Sequence, residues 1–189
     1  IGLVSAGSTG AVLAGAIMKI GRIKGISRPA LAPILPTIKD SDVIIIDSGA
    51  NIDCKPVNLL HFALMGSAYY SIIYNKENPR VALLNNGTED EKGNELAKET
   101  FPLLKNAPIN FIGNKEGGDF MSGDVDVMVT VGFAGNALLK GTEGAVAAVI
   151  SILKQSIKSH FWSKIGYLFM KPTFKDIKNR VDIISKHAG

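Results

Sequence analysis

The 189-residue sequence has one cysteine, Cys54, which excludes an internal disulfide and fits a reducing compartment. No histidine lies near it in sequence, so Cys54 reads as a small buried hydrophobe ahead of a catalytic thiol. No run approaches the ~20 consecutive apolar residues that a membrane-crossing helix needs. The apolar start, Ile1 to Val4, lacks a charged leader and a cleavage-like end, and does not read as a signal peptide. A surplus of one charge sign is nearly missing too: 21 Lys and Arg against 17 Asp and Glu leave a net charge of +4. That mild excess favours acidic partners only slightly. Basic residues are scattered and not interleaved with aromatics, which argues against nucleic acid. Clustered His, Cys and Asp at metal-ligand spacing are lacking, and no metal is expected. There is neither a dinucleotide fingerprint nor a P-loop. His61, His160 and His187 have no serine or carboxylate placed as in a triad, which argues against a hydrolase of that type.

What is present is an ordinary globular balance, with 46% hydrophobic and 20% charged residues. The first residue is Ile1, on a strand-like run, which suggests an upstream segment. One pattern then recurs: a short Val/Ile/Leu run, a loop rich in Gly, Asn and Ser, and often a helical pattern. The runs are Gly2 to Val4, Asp42 to Ile46, Arg80 to Leu84, Ile109 to Ile112 and Val125 to Val131. A helix is expected from Thr9 to about Ile20, another over about Gly93 to Lys105, and a long one after Asn136. Repeats of this kind imply α/β architecture with a largely parallel sheet, and runs without alternation imply strands covered on both faces. Right-handed crossovers place the loops on one carboxyl edge, where ligands bind in open α/β sheets. Residues 21–39, with turns at Arg28-Pro29 and Leu35-Pro36-Thr37, read as an extended connection.

Four loops can carry chemistry. In Ser5-Ala6-Gly7-Ser8-Thr9-Gly10, glycines and hydroxyls stand at a strand-to-helix turn, suited equally to an anion and to a plain helix cap. Asp47-Ser48-Gly49-Ala50-Asn51 closes a strand with a carboxylate that can orient a lysine or hydroxyl, or simply form an Asx turn. Lys92, beside Gly93 and behind Glu89 to Glu91, suits a phosphate or a developing oxyanion, whereas the acids read as complementing the next helix's first turn. Gly132-Phe133-Ala134-Gly135-Asn136 resembles an anion-cradling turn, with Lys140 about one helical turn beyond.

These loops together resemble the phosphate acyltransferase family of bacterial lipid synthesis. The matching residues include Ser5 to Gly10, Gly21-Arg22-Ile23, Arg28 to Pro33, Leu35-Pro36-Thr37, Asp47 to Asn51, Phe62-Ala63 and Met65-Gly66. They continue through Asn78 to Val81, Leu83-Leu84-Asn85, Lys92 to Glu95, Phe111 to Asn114, Gly132-Phe133, Gly135-Asn136 and Leu139-Lys140. The set covers most of the chain in order. It implies a three-layer α/β fold of the isocitrate/isopropylmalate dehydrogenase and phosphotransacetylase type, incomplete here at both ends. It also implies a homodimer that needs no cofactor or metal.

The implied activity is acyl transfer from fatty acyl-carrier protein to inorganic phosphate, giving acyl phosphate and free carrier protein for phospholipid synthesis. On that reading Lys92, Asp47 and Asn136 are catalytic. Ser5, Gly7, Ser8, Thr9, Gly10, Asn51, Asn85, Gly93, Asn94, Gly132, Gly135 and Lys140 bind phosphate or substrate. The sequence departs from the family at Ser8, where asparagine is usual, and at Val131, where aspartate is usual. The alternatives are transfer from acyl-coenzyme A, and a degenerate homologue that binds membrane or carrier protein without turnover.

The expected division is a catalytic core over 1–153 and an amphipathic helical segment over 154–189. In 154–171, Ile157, Phe161, Ile165, Leu168 and Phe169 repeat at helical spacing, with Trp162 and lysines around them. Pattern alone favours packing on the core or a second subunit over an interfacial helix. The resemblance reverses that preference and implies a cytoplasmic protein, peripherally bound to an anionic membrane through Phe161, Trp162, Ile165, Leu168 and Phe169.

Overall fold

A computed structural model describes residues 7–186, with side chains through 177 and at 179. The expected first run and Ser5 lie outside the described residues, as does His187. The chain divides into two compact units, Ile1–Asn136 and Ala137–Gly189.

The first unit is built on a five-stranded sheet in the order β1-β2-β5-β3-β4. Its strands are β1 (Ile34–Pro36), β2 (Asp42–Ile46), β3 (Arg80–Leu84), β4 (Asn110–Lys115) and β5 (Val127–Val129). β2, β5, β3 and β4 pair in parallel, so the loops that follow them leave from one edge. The architecture is therefore α/β with a largely parallel sheet, as the recurring runs imply. The 21–39 connection is not wholly irregular: β1 adds to β2 antiparallel. Pro36 ends this short edge strand, where a missing N–H costs no central ladder bond.

Helix α1 (Thr9–Lys19) buries no residue. Helix α2 (Pro56–Tyr74) returns across one face of the sheet, and α3 (Glu95–Lys105) packs beside α2 and against β4. Gly66 allows the close approach of α2: a Cβ there would stand 2.6 Å from Val127 and 3.2 Å from Ile46. On this face Ile44, Ile46, Val81, Leu83, Val127 and Val129 form the core with Leu59, Phe62 and Ala63. The alternate strand residues Val43, Ile45, Ala82 and Met128 are also fully buried, which explains runs without polar alternation.

Helix α4 (Gly132–Ser159) starts in the first unit and continues into the second. It is long and apolar enough to cross a bilayer by length and composition, which corrects the expectation that no stretch qualifies. Lys140 and Glu143 form an ion pair within this helix. The pattern read as one helix over 154–171 is interrupted at His160, whose backbone is extended. Ile157 thus belongs to α4, while Phe161 to Phe169 form α5. Helix α6 (Lys171–Lys186) packs on α5 with the rings of Tyr167 and Phe174 5.0 Å apart.

Candidate functional site

The centre of the carboxyl edge is Asp47, immediately after β2 and fully buried. Its Oδ1 accepts the N–H groups of Leu31, Gly49 and Ala50 at 3.0, 3.2 and 3.0 Å. Its Oδ2 accepts the Asn51 N–H at 2.7 Å and the Asn51 Nδ2 at 2.9 Å. Asn51 Nδ2 also donates to the Pro29 carbonyl, and Ser48 N–H donates to the Leu31 carbonyl. A buried carboxylate is stable only when so satisfied, and here the satisfaction shapes the 47–51 loop and ties it to residues 29–31.

The second loop is fused to the first. Thr130 N–H donates to the Ile46 carbonyl, Asp47 N–H donates to the Thr130 carbonyl, and Gly132 N–H donates to the Asn51 carbonyl. A Cβ on Gly132 would lie 2.6 Å from Asn51 O, and one on Gly135 would collide with the Asp47 carbonyl. Glycine is required at both places by backbone approach. Asn136 is exposed, with Cβ 3.9 Å from where a Gly49 Cβ would stand. The first turn of α4 and its N–H groups therefore sit directly on the 47–51 loop. Val131, beside Gly132, is partly buried against the core.

The third loop follows β3, which neighbours β5. Asn85 closes it: Nδ2 donates to the Lys92 carbonyl at 2.9 Å, and Oδ1 accepts from Asn86 N–H. Gly93 is packed against the Asn85 side chain. Asn114 Nδ2, from β4, donates to the Glu89 carbonyl at 2.7 Å, and the buried Asn114 Oδ1 has no partner among the described residues. Lys92 is exposed and forms no ion pair among the described residues. Asn94 Oδ1 accepts from Ala97 N–H and caps α3. The helix begins at Glu95, later than expected, so Glu89 to Glu91 lie in the preceding loop and only Glu95 complements its first turn.

In the first loop, Ser8 to Gly10 make none of these contacts. Ser8 is the N-cap of α1 without a side-chain cap bond, its carbonyl accepts from Ala11 and Val12, and Gly10 has open space around it. Thr9 is exposed, and Gly7 precedes the helix. Lys140 belongs to the second unit, where its ammonium is 3.1 Å from Glu143. Phe161, Trp162, Leu168 and Phe169 are exposed at 69, 79, 61 and 83%, and Ile165 at 36%. No group of three or more His, Cys, Asp or Glu that could hold a metal ion occurs among the described residues.

Two clusters escaped the sequence reading. Ser27 Oγ lies 3.0 Å from His61 Nδ1 and accepts from Asn58 Nδ2 at 2.7 Å, a serine–histidine pair with an amide where a triad would have a carboxylate. The partners are 34 positions apart, and no local signal joins them. On the opposite edge, buried Asp126 receives Lys76 Nζ at 2.8 Å and Arg80 through its N–H, Nε and Nη2. Burial would raise the Asp126 carboxyl, but hydrogen bonds from Arg80 and Lys76 outweigh it and hold it at about 2. Near the site, burial pushes the Cys54 thiol up, and the Asp47 charge adds to the effect.

Solved structures share the fold. The chain superposes on EutD phosphotransacetylase from Staphylococcus aureus with a TM-score of 0.54 at 21% identity, over 71% of this chain and 47% of that one. A branched-chain phosphotransacylase from Enterococcus faecalis V583 matches with a TM-score of 0.50 at 15% identity, over 72% and 55%. Sequence relatives are nearer. A protein named phosphate acyltransferase from Clostridium tetani is 53% identical over 179 residues, 95% of this chain and 53% of the relative. One of the same name from Bacillus cereus (strain B4264) is 49% identical over 186 residues, 98% of this chain and 56% of the relative. The chain thus spans about half the length of the curated relatives it matches. The family described as fatty acid synthesis protein matches residues 1–189 throughout, and this chain belongs to it.

Proposed function

We propose that the protein transfers a fatty acyl group from acyl-carrier protein to inorganic phosphate. A phosphate oxygen attacks the thioester carbonyl, the C–S bond breaks, and the carrier thiol leaves with a proton as acyl phosphate forms. The observation that carries this reading is the fusion of the 47–51 loop with the first turn of α4 on neighbouring parallel strands. The loop's own N–H groups are taken up by Asp47 and Leu31. The fusion therefore serves to fix the start of α4, whose Phe133 and Ala134 N–H groups can face an oxyanion without a protein nucleophile. The names of the relatives, of whose length this chain spans about half, support the acyl-to-phosphate direction.

In this reading Lys92 stabilises the developing charge, and Asn136, exposed beside Gly49, contacts the reacting groups. Asp47 acts through the backbone it organises, together with Asn51. Gly132 and Gly135 let the start of α4 close on the 47–51 loop at the phosphate edge, and Ser5, Gly7, Ser8, Thr9 and Gly10 of the first loop add contacts to phosphate. Asn85, Gly93 and Asn94 hold the Lys92 loop in shape. The protein works in the cytoplasm as a homodimer, and the 154–189 segment rests on anionic membrane through Phe161, Trp162, Ile165, Leu168 and Phe169. The exposure of the aromatic residues on α5 supports that contact.

A second reading, a homologue without turnover, draws on Val131, whose partly buried side chain brings no charge to the edge. The deciding assay is phosphate-dependent release of free carrier protein from an acyl-carrier-protein thioester by the complete natural polypeptide, beside Val131→Asp. Turnover by the native sequence is expected. Turnover by the aspartate variant alone would identify a decayed enzyme, and turnover with coenzyme A thioesters alone would replace the donor.

A further inference from the structure

An apolar groove of about 620 Å³ runs between residues 23–32 and α2, a volume in the range of ligand sites. Ile23 and Ile26 form one wall, Leu64, Met65 and Tyr69 the other, and Ile46 reaches its floor. We infer that this groove takes the alkyl chain of the acyl donor and delivers its carbonyl end to the Asp47–Asn51 edge. The inference rests on the function proposed above.

Three observations support it. First, the groove is continuous with the site. Ile46 directly precedes Asp47, and Ala30 and Ala32 line the groove on either side of Leu31, whose N–H and carbonyl hold Asp47 and Ser48. One short segment therefore makes a groove wall and clamps the reaction loop. Second, the groove has a direction. α2 starts past the loop edge and ends beside the start of β2, where the hydroxyls of Tyr70 and Tyr74 donate to the carbonyl and carboxylate of Asp42. Gly66 is level with Ile46, so the path from Met65 to Ile72 leads away from the loop for about 10 Å at the helical rise. Third, the lining selects the occupant. Its side chains offer the Tyr69 hydroxyl and otherwise no oxygen or nitrogen. An alkyl chain has no N–H or carbonyl group to satisfy and so matches this lining. Ile23 and Ile72 stand 69 and 81% exposed, apolar surface that such a chain would cover.

The test uses the complete natural polypeptide and carrier-protein thioesters of hexadecanoate and butanoate. Ala68→Trp fills the groove from α2. Each buried methylene is worth about fourfold in binding, so the hexadecanoyl-to-butanoyl ratio of kcat/KM should fall at least about tenfold. An unchanged ratio overturns the inference. A direct measurement covers a variant that fails to fold: titration of the ¹³C-methyl signal of Met65 in the wild type with decanoate. A saturable shift at Met65, absent at the exposed Met18 of α1, is expected. No shift, or an equal shift at both, overturns the inference. So does a Met65 signal that changes with protein concentration and no longer responds to decanoate, which would make a second copy the occupant. If the wild type turns over no acyl thioester, the proposed function fails, and the decanoate titration still decides the groove.

Discussion

Gly135 lies against the backbone of Asp47 so closely that a methyl group on it would collide with the Asp47 carbonyl and approach Thr130 Cγ2 to 2.8 Å. The start of α4 and the 47–51 loop are thus one object. Gly135→Ala should destabilise the protein by about 1–3 kcal/mol through overpacking and should lower any activity of this edge. Urea unfolding measures the first effect. A change below about 0.5 kcal/mol would mean that the two backbones separate without cost.

Asp126 supports the opposite edge, and the sign of its pH dependence follows from its depressed pKa. A carboxyl held at about 2 contributes its stability above the ordinary range near 4 and loses it as pH falls toward 2. The contribution is on the order of 2 kcal/mol. In Asp126→Asn the part of the acid destabilisation between about pH 4 and pH 2 should shrink, and stability at neutral pH should drop. Thermal melts of both proteins across that range are the check. Parallel curves would refute the assignment.

Lys92 is exposed and its side chain carries no part of the core. Lys92→Ala should therefore leave the melting temperature unchanged while reducing phosphate-dependent thioester turnover by about 10²-fold, the usual cost of one charge-stabilising donor. Wild-type turnover in the variant would remove Lys92 from the chemistry.

Cys54 is partly buried, and its thiol is raised by burial and by Asp47, so it stays protonated at neutral pH. Cys54→Ala should keep turnover within about twofold, and the folded protein should react with iodoacetamide more slowly than a free thiol. Rapid alkylation coupled to loss of activity would contradict this.

Much of this architecture was legible in the sequence because strands buried on both faces leave a local signature. Asp42 to Ile46 and Arg80 to Leu84 read as strands without any tertiary information, and Asp47 to Asn51 reads as the loop behind one of them. Glycines 132 and 135 read as a turn ahead of a helix, whereas they form the first turn of α4 itself, and Lys92 reads as a lysine out of place among acids. What those loops do to one another was not visible. Sheet order sets β2 beside β5, and only that adjacency brings Gly132 to Asn51 and Gly135 to Asp47. The Ser27–His61 contact, the Asp126 cluster and the groove beside Ile46 likewise join residues far apart in the chain. Hydrophobic periodicity and turn chemistry act over a few residues, so the sequence by itself determined strands, turns and the class of fold. Which buried carboxylate meets which N–H, and which apolar faces are left open, depended on packing across the sheet, and the tertiary structure alone decided it.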